Sequence, residues 1–428
     1  MFRLNKVGIA ILIIVLLSSS SHIVGINFQT QVYTQIQATS SSSFEHIYGA
    51  SGHYTIVISE EDNLIFTNSP IGLMLMELDD ISNYTLYDGE EIGLLESYVQ
   101  YLEIDTELKL LYVATIGGVD VINYTQTPLH ASNILSEVLM NFNMTKSMDV
   151  DPTTHLLYIT SQTEALTIYD PIHNKFADIS GYAYPDANIY TVDVDHVSRK
   201  MYLGTSEGLC VINLDTNATQ LYTTANGLLH NDVMLVRAYP TLGLTFCSTV
   251  DPSTGISDGL TVVFDNGTIR TFDYAPTGMN PRSVNDIACD LNRGYGYIVS
   301  GAPINSETGF LVFNLTDFSG VAKGAYGSFG EYGIPLIYST PMIEGLDAAI
   351  EIVESTGELI IGSVQRIQKI VFTPPNSATV ENAPILGLYH NLVSDVIYDP
   401  TTDRIFLSEL LGLDLVNPYE HNLSLIHI

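Results

Sequence analysis

A two-residue hydrophobic signature, its second member usually aromatic, recurs eight times along this chain. It appears as Ile65-Phe66, Leu111-Tyr112, Leu157-Tyr158, Met201-Tyr202, Thr245-Phe246, Gly296-Tyr297, Leu359-Ile360 and Ile405-Phe406. Successive copies are 46, 46, 44, 44, 51, 63 and 46 residues apart. Seven residues before the second member stands Asp105, Asp151, Asp195, Asp290 or Asp399 in five of the eight copies. A fixed period of this length marks a tandem array of one supersecondary unit. Within a unit, alternating apolar residues, β-branched residues and polar turn clusters signal antiparallel strands. In the second unit the strands read Tyr98–Asp105, Leu110–Thr115 and Val119–Asn123, separated by Thr106–Lys109 and Gly117-Gly118, with a weaker outer strand following. A lone four-stranded sheet cannot bury both faces, so tandem sheets of this size stack radially as propeller blades. The expected fold is all-β: one β-propeller over residues 44–422, with eight blades by direct count and seven as the alternative. In the eight-bladed version Phe44-Glu-His-Ile-Tyr-Gly49 supplies the missing outer strand of the last blade and closes the ring.

The ends of the chain read differently. Arg3 and Lys6 precede the apolar run Val7–Leu17, and Ser18–Ser21 follow, the layout of an export signal over residues 1–25. Eleven apolar residues are short for a bilayer span, so no membrane span is expected within the chain. Residues 26–43 are rich in Ser, Thr and Gln and read as a stalk. The last six residues, Leu423-Ser-Leu-Ile-His-Ile428, can be encoded by CTG-TCT-CTT-ATA-CAC-ATC, the transposon end used in sequencing libraries. The natural chain is therefore expected to continue past Asn422.

Composition narrows the partners. Lys and Arg number 15 against 48 Asp and Glu, a formal net charge of −33. Such a surface repels nucleic acid and anionic membranes, which leaves an extracellular protein or glycan as the expected partner. The three cysteines, Cys210, Cys247 and Cys289, are too few for a disulfide framework and fall in predicted strands, where a free thiol behaves as a small hydrophobe.

Two motifs carry a family resemblance. Val150-Asp-Pro-Thr-Thr-His-Leu-Leu-Tyr158, followed by Ile168-Tyr-Asp170 and Lys175, resembles the YVTN-type repeats of archaeal surface-layer propellers. Gly227-Leu-Leu-His-Asn-Asp-Val233 and Met201-Tyr-Leu-Gly-Thr-Ser-Glu-Gly-Leu209 are similar to the propeller repeats of two-component-regulator sensor ectodomains. The chain departs from the sensor pattern in having no Trp before Gly-Thr, and indeed none anywhere. Both resemblances imply extracellular binding or assembly, and neither brings catalytic residues.

Insertions point to a surface. Connections between second and third strands, and between blades, share one face of a propeller. Asp251–Asp258, Ala302–Thr308 and Val321–Asp347 all fall there. The last is Gly- and Tyr-rich, and Tyr326, Phe329, Tyr332 and Tyr338 are its candidate binding residues, since loops on a rigid scaffold and flexible Tyr-bearing backbone both favour recognition. Five N-x-Ser/Thr sequons, at Asn83, Asn123, Asn217, Asn266 and Asn314, follow third strands and lie on the opposite face; Asn143 lies on the insertion side. They are candidate glycosylation sites, or simply Asn-rich turns.

Glu103, Asp149 and Asp193 share one innermost-strand position, with Arg237 and Glu351 there in later units. Charge in such a strand is paired or hydrated. One reading is a cation site in the central channel, and Ca2+ is the ion that oxygen ligands suit. The other is a solvated wall with an Arg237 ion pair. The Asp105 series reads as turn-capping. His230 and His390 recur in equivalent places and read as repeat consensus. Three functions stay open: a cell-surface binding module (adhesin, envelope component or sensor ectodomain), a metal-dependent propeller hydrolase or lactonase, and a structural surface-layer component. The absence of Trp and of an acid/base pair weighs against the enzyme. Fold alone does not choose among them.

Overall fold

The structure is a computed structural model. It describes residues 55–69, 71–136, 145–161, 166–177, 179, 182–184, 187–253, 256–273, 283–301, 309–318, 333–335, 349–362, 367–373, 377–382, 393–399, 404–409 and 412–416. The export signal, the stalk, Phe44–Gly49 and Leu423–Ile428 lie outside these residues.

Seven antiparallel sheets of four strands each come from consecutive stretches of chain. Blade 1 is β1 to β4 (Ile56–Ser59, Leu64–Ser69, Gly72–Glu77, Tyr84–Asp88), and blade 2 is β5 to β8 (Val99–Asp105, Leu110–Thr115, Gly118–Asn123, Ala131–Ser136). Blade 3 is β9 to β12 (Thr145–Val150, Leu157–Ser161, Leu166–Asp170, Lys175–Phe176). Blade 4 is β13 to β16 (Ile189–Asp195, Lys200–Thr205, Gly208–Asn213, Thr219–Tyr222). Blade 5 is β17 to β20 (Asp232–Tyr239, Leu244–Asp251, Ile256–Phe264, Ile269–Asp273). Blade 6 is β21 to β24 (Ser283–Asp290, Tyr295–Gly301, Gly309–Asn314, Gly333–Pro335), and blade 7 is β25 to β28 (Ala349–Val353, Glu358–Gly362, Ile367–Thr373, Ser377–Asn382).

Each hydrophobic pair from the sequence lies in a second strand. In the seven blades that strand is covered on both faces by neighbouring blades, so Tyr112, Tyr158, Phe246, Tyr297 and Ile360 are all fully buried. The Asp series caps the turn between inner and second strands. Asp151 Oδ1 accepts the Thr153 and Thr154 amides at 2.9 and 3.3 Å, and Asp195 Oδ1 accepts those of Val197 and Ser198 at 2.8 Å. The next chain reversal relies on glycine in blade 2. Gly118 has φ +136°, and a Cβ there would lie 1.9 Å from the Leu135 carbonyl oxygen of the outer strand.

The ring closes over seven blades. The inner strands β1, β5, β9, β13, β17, β21 and β25 follow one another in space, and β25 lies beside β1. At this seam the Glu60 carboxylate accepts the amides of Glu354 and Ser355, and Lys369 Nζ donates to the Leu78 carbonyl at 3.1 Å. Among the described residues, no blade borrows a strand from elsewhere in the chain. Of the two blade counts open from the sequence, the ring is the seven-bladed one, and blade 1 has its own four strands without residues 44–49.

The eighth repeat folds as a three-stranded antiparallel sheet, β29 to β31 (Val393–Asp399, Arg404–Glu409, Gly412–Val416). It belongs to a separate compact unit: residues 52–384 form one unit, and residues 1–51 with 385–428 form the other.

Candidate functional site

The inner strands place one side chain per blade opposite the buried aromatic of the second strand. The cross-strand partners are Val57 and Phe66, Glu103 and Tyr112, Asp149 and Tyr158, Asp193 and Tyr202, Arg237 and Phe246, Ala288 and Tyr297, and Glu351 and Ile360. The shared position inferred for Glu103, Asp149 and Asp193 is therefore real. Blade 6 departs from it, with Ala288 at the position and a carboxylate two residues earlier, at Asp286.

These carboxylates stitch blades together. Asp149 accepts the Val150 amide at 2.9 Å and also that of Val194 in blade 4. Asp193 accepts the Ala238 amide of blade 5 at 3.3 Å. Asp286 accepts its own Ile287 amide at 2.9 Å and the Ile350 amide of blade 7 at 3.2 Å. Arg237 joins blade 5 to blade 6 through Asp286, 2.9 Å from Nη2 and 3.1 Å from Nε. Among the described residues, no three His, Cys, Asp or Glu side chains are arranged to hold a metal ion. The oxygen ligands that Ca2+ requires are thus not assembled by Glu103, Asp149 and Asp193.

Crowding shifts the titration of this ring. The side chains are partly accessible, but surrounding protein strips away most of their water, which disfavours charge on a carboxylate. Burial pushes Glu103 up to about 7 and Asp193 up to about 6, with Arg237 pulling both downward. Burial, reinforced by Asp286, carries Glu351 up to about 8. Asp149 is raised by burial and then by Asp193 and Glu103. Burial would lower the Arg237 guanidinium, but Asp286, Asp193 and Glu351 more than offset it and hold the group charged.

Above the channel, a bulge recurs. In blades 2 to 6 the inner strand slips by one residue against its neighbour near the blade-entry end. The extra residues are Gln100, Lys146, Tyr190, Met234 and Asn285, each at least partly accessible to solvent. The residue before each bulge is Val99, Thr145, Ile189, Val233 or Val284, and all five are buried. The repeat therefore fixes a small β-branched residue below and leaves the bulge residue free to differ. Bulges re-aim side chains and cluster beside functional sites.

An apolar rim adjoins the bulge of blade 2. The connection from blade 1 forms a one-turn helix, α1 (Gly89–Ile92), capped by Asp88 Oδ1 on the Glu90 amide at 2.9 Å and ended by Gly93 at φ +84°. Ile92 and Leu94 point into the core, while the Leu95 amide is held by buried Asp120 at 2.9 Å. This leaves Leu95 and Tyr98 outside, with Tyr98 54% exposed, beside Ile116 in the Gly117 turn. Tyr101 and Met234 are also exposed near this end.

The other residues singled out in the sequence fall as follows. Tyr326, Phe329, Tyr332, Tyr338, His390 and Asn143 lie outside the described residues, as does Ala302–Thr308. The Asp251–Asp258 insertion lengthens the β18–β19 hairpin, and the Val321–Asp347 segment supplies the outer strand β24. His230 lies in the connection entering β17 and is partly buried. Asn83, Asn123, Asn217, Asn266 and Asn314 all sit at third-to-outer-strand turns. The three cysteines are free and buried, and burial pushes Cys210 up to about 12. Asp286 and the bulges were missed. A one-residue slip moves a carboxylate out of the repeat frame, and only strand register reveals it.

No protein-family model matches the chain, and no curated protein matches it in sequence. Solved structures share its fold. The Niastella koreensis GH74 enzyme aligns with TM-score 0.63 at 12% identity, covering 90% of this chain and 62% of that one. Two extracellular domains from B. thetaiotaomicron, described as belonging to hybrid two-component systems, align at 14% identity. Their TM-scores are 0.52 and 0.51, over 86% and 88% of this chain and 51% and 52% of theirs. The chain thus spans about half to three fifths of these structures. At such identities the likeness establishes the class, a β-propeller, and nothing of the chemistry.

Proposed function

We propose that the chain is an extracytoplasmic binding module whose ligand docks over the blade-entry face. The observation that carries this is the row of five unlike bulge residues, Gln100, Lys146, Tyr190, Met234 and Asn285, above five uniformly buried neighbours. The exposed rim of Leu95, Tyr98 and Ile116 adds apolar contact area of the kind that anchors recognition. The inner carboxylates, tied to backbone amides, act as scaffold. A sensor ectodomain is the version the extracellular structural neighbours favour, and the export signal expected over residues 1–25 would agree with it. Among the described residues no helix is long and apolar enough to cross a membrane.

The test is a glycan-array and peptide-array screen of the secreted full chain beside a Tyr98→Asp/Ile116→Asp/Met234→Asp variant. Loss of at least tenfold in binding, about 1.4 kcal/mol, is the expected result. Binding that survives this variant but is lost on Ile172→Asp/Val197→Asp, on the opposite face, contradicts the proposal.

A further inference from the structure

The five described sequons occupy similar turns, but their side chains are not equivalent. Asn123 and Asn314 are the last residues of β7 and β23 and are half-buried. Asn123 Oδ1 accepts the Thr125 amide and hydroxyl at 3.1 and 2.7 Å, and Asn314 Oδ1 accepts the Thr316 amide at 2.7 Å. Asn213 ends β15 in the same place. It accepts the Asp215 and Thr216 amides at 3.1 and 2.9 Å, although Asn213-Leu-Asp is no sequon. The fold wants asparagine there as a turn lock whether or not a Thr follows at the right spacing. Asn83 is exposed, but its Nδ2 is donated to the Glu77 carboxylate at 2.6 Å.

Asn217 and Asn266 differ from Asn123 and Asn314 in position and exposure. Both stand at turn apices and are exposed, within the exposed runs 215–220 and 265–268. Asn217 has φ +57°, its amide nitrogen closes the turn on the Asn213 carbonyl at 2.8 Å, and among the described residues its carboxamide has no hydrogen-bond partner. Asn266 Oδ1 accepts the Thr268 amide at 2.9 Å, the bond that Asn123 and Asn314 also make, but Asn266 makes it from an exposed apex rather than a half-buried strand end. The two turns belong to adjacent blades, and the Lys200 to Asp265 ion pair at 3.2 Å joins those blades beside them.

We propose that Asn266 and Asn217 carry N-linked glycans while Asn83, Asn123 and Asn314 serve the fold unmodified. The inference rests on the extracytoplasmic reading. The donor is a phosphate-activated oligosaccharide. Nδ2 bonds to its anomeric carbon as the C1–O bond breaks, the phosphate leaves with the electron pair, and one Nδ2 proton passes to a base. Two glycans on the turn face of blades 4 and 5 would shield that side and leave the blade-entry face bare.

The experiment is site-resolved mass spectrometry of the full chain, secreted by a host that N-glycosylates exported proteins, with Asn217→Gln, Asn266→Gln and Thr268→Ala variants. Thr268→Ala keeps the turn amide and removes only the sequon hydroxyl. Glycan masses at Asn266 and Asn217, with one mass lost per variant, are expected. Protein exported to the medium with both sites bare, or with occupancy at Asn83, Asn123 or Asn314 equal to theirs, overturns the inference and leaves the location reading intact. Failure of export overturns both.

Discussion

Arg237 and Asp286 meet at 2.9 Å between the inner strands of blades 5 and 6, and Arg237 is the single cation at the channel position opposite the second-strand aromatics. Its neighbours Asp193 and Glu351 are acidic groups whose ionised forms it favours, so the guanidinium is the counter-ion available to a whole sector of the ring.

Replacing it should be costly. Arg237→Met leaves Asp286 buried without its partner, and stranding one member of a buried pair costs about 3–5 kcal/mol. Urea unfolding of the full chain should show a loss in this range. A loss below about 1 kcal/mol would mean that the backbone amides of Ile287 and Ile350 alone satisfy Asp286.

The ring also sets a pH dependence. Glu103, Asp193 and Glu351 have folded-state values raised to about 7, 6 and 8. The folded protein therefore holds these protons more tightly than the unfolded chain. The stability they supply is full below the ordinary carboxylate range and is lost as pH rises through about 6 to 8. Asp62, lowered by hydrogen bonds from Lys109 and Ser59, acts in the opposite sense and loses its contribution in acid. Melting temperature should fall from pH 5 to pH 8, and Glu351→Gln should flatten the upper part of that fall. A flat wild-type profile over this range would refute the assignment.

Turn capping gives a third expectation. Asp151 is fully buried, serves two amides and the Thr154 hydroxyl, and reaches Arg199 of blade 4 at 2.7 Å. Asp151→Ala removes all of these at once and should cost roughly 3 kcal/mol, given about 1–3 kcal/mol for each buried group left unsatisfied. Thermal or urea unfolding measures it. The equivalent pairs Lys109 with Asp62 and His155 with Asp105, both at 2.8 Å, bridge the two preceding blade junctions.

Gly296 stands where other repeats carry Leu, Ile, Met or Thr. A Cβ there would lie 2.1 Å from the Phe313 ring. Gly296→Ala should destabilise by about 1–3 kcal/mol through overpacking, while Gly296→Ala combined with Phe313→Leu should recover part of that loss. Equal stability of the single variant and the wild type would contradict the packing described.

The repeat was legible because it is local: an apolar second-strand pair and two turns recur in every frame, most often with an aromatic, and in five of eight copies with an Asp seven residues earlier. Strand order, the buried second strands, the capping Asp residues and the common position of Glu103, Asp149 and Asp193 all follow from that frame. The number of blades in the ring does not. The Ile405-Phe406 repeat reads like the others, yet closure depends on how Glu60 and Leu78 meet Ser355 and Lys369 almost 300 residues away, and no local period encodes such a meeting. The bulges were hidden for a related reason. Gln100 and Met234 look like ordinary strand residues until their partners across the sheet are counted, and the exposed rim at Tyr98 needed the cap at Asp88 and the anchor at Asp120 to place it.

Ring closure over seven blades underlies the placement of every bulge and inner carboxylate, and a cross-link across the seam tests it most directly. Glu60→Cys and Ser355→Cys in the full chain, whose three native cysteines are buried, should join rapidly within one molecule under a short bismaleimide. Peptide mapping should then recover residues 60 and 355 together in the monomer. Dimers only, or single-site labelling with no linked peptide, would contradict a ring in which blade 7 packs on blade 1.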